Sequence, residues 1–330
     1  MDRKTSVLIV SVILAAAIIS FMLFRVWEDL LVAMGHWNPL YLVPAIAIST
    51  AGWFLRGARY RSILGKLDVR AGLAFSTACV LISQTANLII PARLGDLVRI
   101  FILKHEKLAT YSTGISSLVI ERFFDILTVA LLGLLTLPFV LGVPPWVYPV
   151  IVIPLALCGA FVLVLLALGK VKSENRILAI LFSMIHEIRK ASLTPGSILG
   201  LSALSLLIWA TDIATTLSIA AMFGVDITAT GFVAVATLAV VVGNLAKAVP
   251  ITPGGIGTYE VAVAVILVLS GVLSGTPQAT ATLIAVTDHL VKNVITAAGG
   301  VLSIWLLGGW VVDAIRDAFH GKGEEGGHGT

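Results

Sequence analysis

The sequence predicts an all-α integral membrane protein with about six spanning helices and two re-entrant, broken-helix hairpins, or else about eight spans. Three observations lead to this prediction. Of the residues, 58% are hydrophobic and only 12% are charged, whereas soluble domains carry about 25% charged residues. Apolar stretches long enough to cross a bilayer, which takes roughly 20 residues, recur along the chain. Two of these stretches are interrupted by proline and glycine.

The apolar stretches define the predicted spans in chain order. A single polytopic membrane domain is expected over residues 1–310, followed by a short polar cytoplasmic tail over 311–330. Continuous spans are predicted at 5–26, 39–55, 111–141, 147–169, 196–222 and 280–307. Shorter apolar pieces lie at 71–90, 97–103, 231–249 and 259–273. These shorter pieces flank the interruptions and form the predicted hairpins.

The polar connections predict which side of the membrane each loop faces. Residues 56–70 contain five Lys or Arg residues against Asp68 alone, and residues 170–190 contain five against two Glu residues. The connections on the opposite side contain neither Lys nor Arg. The positive-inside rule therefore places residues 56–70 and 170–190 in the cytoplasm. Both termini of a multi-pass cell-membrane protein are then expected in the cytoplasm.

Two segments interrupt the continuous spans. The first break segment is NLIIPARLGDLVR, residues 87–99, and the second break segment is KAVPITPGGIGTYE, residues 247–260. Irregular backbone is not tolerated where it faces lipid, so such segments face protein or a water-filled cavity. They are either surface loops between spans or the tips of re-entrant hairpins. The short flanking pieces favour hairpins.

The two break segments resemble each other, which predicts an internal duplication. Both contain the pattern P-x-x-φ-G, with φ an aliphatic residue, at 91–95 and 253–257. Each follows a span in which a Trp precedes a charged residue by three positions, and each precedes a helix with charges in its first half. Repeat one is expected over about 39–141 and repeat two over about 196–307. Their predicted orientations are opposite, so the repeats would be inverted, as in many transporters.

Charged side chains within the predicted spans mark a candidate site. An ionisable group inside a membrane helix costs at least about 2.5–3.5 kcal/mol and tends to face a functional cavity. Glu121 and Asp125 share one helix face, and Arg122 can reach Asp125. One interpretation is an internal ion-pair network that holds the hairpin in place. The other is that Arg93, Arg99 and Arg122 bind a lipid phosphate, which suits the planar fork of arginine.

The second break segment offers a glycine-rich turn at a helix start. Gly254, Gly255 and Gly257 precede a helix whose free N–H groups would attract anions, but the same glycines could serve only to make a tight turn. Cations and carboxylates balance around the two breaks, so charge does not choose between an anionic and a zwitterionic substrate. The counted residues are Arg93, Arg99, Arg122, Lys247 and Lys292 against Asp96, Glu121, Asp125, Glu260 and Asp288.

The strings PARLGDLVR, ERFFDIL and PGGIGTYE resemble hallmarks of the membrane region of lysylphosphatidylglycerol synthases. That family includes the multiple peptide resistance factor and stand-alone, flippase-like relatives. The resemblance covers roughly residues 5–310 and implies lipid translocation between leaflets; the chain stops too soon for the aminoacyltransferase domain, so aminoacyl transfer is not expected. The resemblance makes substrate-binding candidates of Arg93, Asp96, Arg99, Glu121, Arg122, Asp125, Pro253, Gly254, Gly255, Gly257, Tyr259 and Glu260.

Three function classes follow from the sequence. The preferred class is a flippase-like translocase of a phosphate-bearing lipid or lipid-linked precursor that is not an enzyme and has no catalytic residues. The alternatives are a membrane enzyme acting on a lipid-linked substrate, with Glu121 or Glu260 as general base, and a membrane partner of a separate lipid-modifying enzyme.

The sequence also predicts which cofactors and partners the chain has. It shows no P-loop, zinc-ligand spacing or catalytic triad, so no cofactor or metal is expected. Membrane lipids, with a phosphate head group, are the expected partners, and a homo-oligomer is compatible with the sequence. Nucleic acid is not an expected partner, because the basic connections are short and flank membrane spans.

Overall fold

The computed structural model describes residues 3–169, 171, 173–229, 231–249 and 251–312. The described residues form helices and contain no β-strand. The helices of the first half are α1 (Arg3–Arg25), α2 (Trp27–Met34), α3 (Leu42–Lys66), α4 (Leu73–Ile89), α5 (Val98–His105) and α6 (Tyr111–Thr136). Those of the second half are α7 (Val147–Leu168), α8 (Arg176–Ser192), α9 (Pro195–Met222), α10 (Phe232–Ala248), α11 (Thr258–Leu269) and α12 (Pro277–Leu307). Short 3-10 turns lie at Pro39–Tyr41, Pro91–Leu97, Leu137–Phe139 and Pro253–Gly255.

The described chain contains helices that are long and apolar enough to cross a membrane. Four helical segments meet this requirement, and a fifth is added if α1 and α2, which meet at a bend of 73°, form one span. The four segments are Pro39–Lys66, Val147–Leu168, Pro195–Met222 and Pro277–Leu307. These helices confirm the predicted all-α membrane fold. The predicted polar tail lies, from residue 313 onwards, outside the described residues.

Helix α3 runs past the predicted end of its span. The apolar pattern ends at residue 55, but the helix continues to Lys66. Arg59 is 2% exposed, and Arg56 and Arg59 both line an internal cavity. The assignment of these two arginines to a cytoplasmic loop is therefore wrong. The positive charge of that connection then rests on Arg61, Lys66 and Arg70, and the orientation of the chain stays a prediction.

Helices of the two predicted repeats pack on each other in matching pairs. Helix α3 packs on α9, and the 3-10 turns of the two break segments contact each other. Helix α4 packs on α12, and their counterparts under the predicted duplication, α10 and α6, also pack together. Several helix pairs are thus in contact in the same way when the repeats are exchanged. That the repeats are inverted across the membrane remains a prediction.

Both break segments contain a residue with extended backbone directly before a proline. Ile90 follows α4 with extended backbone at φ −95° and ψ 121°, directly before Pro91. Thr252 is likewise extended before Pro253, at φ −127° and ψ 152°. Extended backbone is favoured at the residue before proline. Each break segment then makes a 3-10 turn and leads into a new helix. The 3-10 turn of the second break segment packs against α4.

The buried apolar side chains form separate clusters around these breaks. The largest cluster lies where α10, α11 and α12 meet and includes Val235, Val263 and Ile284, each at most 1% exposed. A second cluster joins α3, α4 and α5. By contrast, α1 and α7 carry many exposed large apolar side chains, such as Phe24 at 78% exposure. Helices that are apolar all round are typical of membrane spans.

Candidate functional site

A cavity between the two predicted repeats collects charged residues from both of them. Its volume of about 410 Å³ falls within the range of about 300–1,000 Å³ that is usual for small-molecule sites. Among the described residues that line it, six are Arg or Lys and three are carboxylates. They are Arg56, Arg59, Arg93, Arg122, Lys247 and Lys292, with Glu121, Asp125 and Asp212. The cavity surface therefore favours an anionic ligand.

One wall of the cavity is an arginine cluster, formed by Arg59, Asp96, Arg99, Glu121, Arg122 and Asp125. Arg99, from α5, is fully buried, and its two Nη atoms lie 2.6 and 3.3 Å from the carboxylate oxygens of Glu121 on α6. Arg59 Nη1 donates to Asp125 Oδ1 at 2.6 Å. Buried charges require such partners. These ion pairs fasten α3 and α5 to α6.

Asp96 holds the first break segment in this cluster. Its Oδ1 accepts hydrogen bonds at 2.9 Å from the side-chain amides of Gln84 and Asn87, both on α4. Its Oδ2 accepts from Arg122 Nη2. Arg122 Nη1 also lies 3.7 Å from Asp125 Oδ2. The guanidinium of Arg122 thus bridges the break and α6 while keeping 30% of its side chain exposed to the cavity.

The opposite wall is a lysine cluster, formed by Lys247, Tyr259, Glu260, Asp288, His289 and Lys292. Asp288 is fully buried and accepts hydrogen bonds from Tyr259 Oη at 2.7 Å and from Thr216 Oγ1 at 2.8 Å. Lys292 Nζ lies 2.8 Å from the same carboxylate. Asp288 therefore connects α9, α11 and α12.

A chain of contacts in the lysine cluster leads from a helix start to the cavity. The backbone N–H of Gly257 donates to Glu260 Oε2 at 2.7 Å, and Glu260 Oε1 lies 2.8 Å from His289 Nδ1. On the other side of the ring, His289 Nε2 lies 3.2 Å from Lys247 Nζ. A lysine ammonium can only donate, so Nε2 accepts from it. His289 Nδ1–H then donates to Glu260, and the imidazole is neutral.

Arg93 and Lys247 differ from the other cations that line the cavity. Among the described residues, neither has a carboxylate oxygen within the 4.0 Å limit of an ion pair. Arg93 Nη2 instead donates to the backbone oxygen of Lys247 at 3.4 Å. Arg93 also has a positive φ of 55°, a conformation that is found at functional sites when the surrounding structure maintains it. Two cations from different breaks thus line one cavity, and neither forms an ion pair with a described carboxylate.

Gly255 allows Lys247 to take this position. Its φ is 75°, and a Cβ atom added to it would lie 2.5 Å from Lys247 Cγ. A contact this short forces one of the two groups to move. The glycine therefore provides both the left-handed turn and the room for the lysine side chain.

Two tryptophans line the cavity where α3 meets α9. The guanidinium of Arg56 lies 4.8 Å from the ring centroid of Trp53, and Arg56 Nη2 contacts Asp212 Oδ2 at 2.7 Å. Trp209 precedes Asp212 on α9 and lines the same cavity. Trp53 with Arg56 and Trp209 with Asp212 are the two pairs of tryptophan and charged residue that suggested the duplication. The contact between Arg56 and Asp212 therefore joins these two pairs across α3 and α9.

The predicted site residues occupy three kinds of position. Arg93, Glu121, Arg122, Asp125, Gly254, Gly255 and Tyr259 line the cavity. Asp96, Arg99 and Glu260 lie behind its wall and bind residues that line it. Pro253 and Gly257 belong to the second break without lining the cavity. Arg99 is not positioned to bind a phosphate, because its guanidinium is buried against Glu121.

Several cavity residues were not among the predicted site residues. They are Arg56, Arg59, Asp212, Lys247, Asp288, His289 and Lys292, all of which line the cavity or bind a residue that does. A charge within an apolar stretch is the signal that identifies Asp212 and Asp288. Arg56 and Arg59 carry the same signal, but their place at the end of a span made them resemble loop charges.

Residues 8–300 match the family described as the lysylphosphatidylglycerol synthase TM region. The chain belongs to this family. The family match confirms the resemblance that the break motifs suggested, and it associates the protein with membrane lipids. No solved structure shows significant similarity to the chain.

A curated relative comes from Haloferax volcanii and is named "Glycosyltransferase AglD". It is 30% identical over 331 aligned positions, which cover 88% of this chain and 53% of the relative. The chain thus spans about half the length of the relative that it matches. Similarity to a protein named as an enzyme overturns the expectation that this member of the family is not an enzyme. Together, the family and the relative associate the chain with lipid or lipid-linked sugar metabolism.

Proposed function

We propose that this chain is a membrane enzyme, or the membrane part of one, that acts in glycosyl transfer on a lipid-linked substrate and binds the phosphate of that substrate between Arg93 and Lys247. The observation that carries this proposal is a pair of cavity-lining cations, neither of which has an ion-pair partner in the described part of the chain. The name of the Haloferax relative supports the reaction class. The family supports a lipid as the carrier.

The chemistry of the two cations suits a phosphate. A guanidinium can donate two parallel hydrogen bonds to phosphate oxygens, and a lysine ammonium supplies a mobile point charge. The remaining cations of the cavity already face carboxylates, so they contribute less to an incoming anion. With Arg99 and the carboxylates behind the wall included, seven cations face six carboxylates. Glu260 is connected to Lys247 only through His289, and Arg93 is the cation that this count leaves unmatched.

The proposal assigns His289 as general base and Glu260 as the residue that positions it. A bound phosphate would draw Lys247 Nζ away from His289 Nε2, which it contacts at 3.2 Å. The freed Nε2 then takes the proton of an acceptor hydroxyl, whose oxygen forms a bond to the sugar carbon. The bond between that carbon and the phosphate oxygen breaks, and the lipid phosphate leaves with the electron pair. Arg93 and Lys247 stabilise the leaving phosphate.

Binding of octyl phosphate to the purified full chain in detergent tests the phosphate site. Replacing Arg93→Ala should weaken binding by about 10- to 100-fold, because a hydrogen bond to a charged group is lost. Replacing Arg93→Lys should weaken it less, since the charge remains without the fork. The matched control is Arg61→Ala, an exposed arginine on α3. Unchanged binding in Arg93→Ala would contradict the proposal.

A separate measurement tests the catalytic assignment. His289→Gln should retain octyl phosphate binding and lose sugar transfer from a glycosyl phosphate lipid, because the base is removed while the two cations remain. Glu260→Gln should lower the transfer rate and alter its pH profile, since glutamine cannot hold the imidazole in the same way. Transfer at the wild-type rate in His289→Gln would remove this residue from the mechanism.

Translocation of the same lipid is a second candidate. The observation that favours it is the contact between the two break segments, with helices that pair in the same way when the repeats are exchanged. Such an arrangement suits alternating access around a shared site. Flip of a fluorescent lipid phosphate in proteoliposomes that contain the purified chain tests this candidate. Absence of flip under conditions in which octyl phosphate binds would contradict it.

A further inference from the structure

Among the described residues that line the cavity, four side chains contain a buried polar atom that has no hydrogen-bond partner: Arg59, Asn87, Trp209 and Thr252. Trp209 is 8% exposed and Thr252 is 5% exposed. Neither Trp209 Nε1 nor Thr252 Oγ1 makes a hydrogen bond within the described part of the chain, although both residues line the cavity. Buried polar atoms in native proteins nearly always have partners. Arg59 and Asn87 already bind carboxylates through other atoms of their side chains. Trp209 and Thr252 each have a single side-chain polar atom, so a ligand in the cavity is the partner that remains for both.

The type of atom restricts that ligand. An indole N–H can only donate, whereas a threonine hydroxyl both donates and accepts. The ligand must therefore present an acceptor oxygen to Trp209, and a hydroxyl group satisfies both atoms. Asn293 also lines the cavity, and its side chain makes no hydrogen bond to any described residue. Its amide adds a further donor and acceptor for hydroxyl groups.

The indole rings add an apolar surface beside these polar atoms. Trp53 and Trp209 both line the cavity, one from α3 and one from α9. Aromatic side chains combine a broad apolar face with polar edge groups. A pyranose ring has the matching character, with C–H groups on its faces and hydroxyl groups at its rim. A glycerol head group has the hydroxyl groups but no such face.

We propose that Trp53, Trp209 and Thr252 form a subsite for the sugar ring of the lipid-linked substrate, next to the phosphate site at Arg93 and Lys247. The inference rests on the proposed function and specifies its substrate as a glycosyl phosphate lipid. It assigns the phosphate to the break segments and the sugar to the wall made by α3, α9 and residue Thr252. A cavity of about 410 Å³ is large enough for a small polar head group of this kind.

A set of octyl phosphodiesters tests the subsite on the purified full chain. The sugar probes are octyl glucosyl, octyl mannosyl and octyl galactosyl phosphate. The matched probe without hydroxyl groups is octyl cyclohexyl phosphate, and octyl glyceryl phosphate presents hydroxyl groups without a ring. At least one sugar probe should bind about tenfold or more tightly than both of the others, because several hydrogen bonds are added. Equal affinity of all the probes would overturn the subsite.

Two variants connect that difference to the named residues. Trp209→Phe keeps an aromatic ring and removes the N–H, so the best sugar probe should bind about 3- to 10-fold more weakly while octyl cyclohexyl phosphate is unaffected. Thr252→Val should likewise weaken binding of the best sugar probe and leave octyl cyclohexyl phosphate unaffected. This variant replaces Trp209→Phe in the test if Trp209→Phe does not fold. Trp305→Phe, at 77% exposure, is the control. Equal losses for both probes would show packing damage and contradict the subsite.

The outcomes separate this inference from the proposed function. If octyl cyclohexyl phosphate binds as tightly as every sugar probe, the phosphate site stands and the sugar subsite fails. If octyl glyceryl phosphate equals the best sugar probe, a hydroxyl-bearing lipid head group replaces the sugar and the subsite again fails. If a sugar probe binds and Arg93→Ala leaves its affinity unchanged, the phosphate site fails while the sugar subsite stands. If no probe binds, both fail.

Discussion

The arginine cluster and the lysine cluster line one cavity, and they compensate their charges differently. In the arginine cluster, every carboxylate contacts a guanidinium directly, as in the Arg99–Glu121 pair at 2.6 Å. In the lysine cluster, Lys292 contacts Asp288 directly at 2.8 Å, but His289 stands between Lys247 and Glu260. A direct buried pair fixes the helices that it joins. A lysine held through a neutral imidazole is free to exchange that contact for a ligand. The comparison separates a wall that maintains the fold from a wall that responds to substrate.

The largest predicted effect concerns the arginine cluster. Arg99→Met should lower the free energy of unfolding by about 3–5 kcal/mol, because Glu121 is left buried with its main partner removed. Thermal unfolding of the purified variant in detergent measures the loss. The double variant Arg99→Met with Glu121→Leu should recover part of it, since both charges are then absent. A melting temperature equal to wild type in the single variant would contradict the structural role of this wall.

A smaller loss of stability is predicted in the lysine cluster. Asp288→Asn should lower the free energy of unfolding by about 1–3 kcal/mol, because the contact with Lys292 loses its charge while an oxygen acceptor remains. Lys292 is 17% exposed in its side chain, so the cavity partly solvates the unpaired ammonium. The same unfolding assay gives the comparison. A loss larger than that of Arg99→Met would reverse the assigned roles of the two walls.

Two glycine substitutions with smaller predicted losses of stability test whether Gly255 positions Lys247. Gly255→Ala and Gly271→Ala should each cost about 1–2 kcal/mol of stability, because both positions are left-handed, with φ of 75° and 67°. A Cβ atom on Gly271 meets no atom within 4 Å, whereas one on Gly255 meets Lys247. Only Gly255→Ala should therefore weaken octyl phosphate binding. Equal affinity in the two variants would mean that Gly255 does not position Lys247.

The sequence predicted the fold better than the site, and the physical reason is visible in particular residues. Apolar length and the prolines of the breaks are local signals, so the helices and their interruptions could be predicted. The sequence indicated charged residues on α6 and α9 but not their partners, because the Arg59–Asp125 and Arg56–Asp212 contacts join distant segments. Counting charges around the breaks gave a balance of five against five. The structure shows that burial removes Asp96, Glu260 and Asp288 from the cavity surface, which leaves a cationic lining.

The central claim is that Arg93 and Lys247 hold the same phosphate, and a double-mutant cycle on octyl phosphate binding tests it most directly. The variants are Arg93→Ala, Lys247→Met and their combination, with Arg61→Ala and Lys190→Met as exposed controls. Two groups that share one ligand are coupled, with interaction energies of about 0.5–3 kcal/mol. The account predicts that each single variant stays folded and binds weakly, and that the combination loses less than the product of the two single losses. Losses that multiply, or wild-type affinity in either single variant, would contradict it.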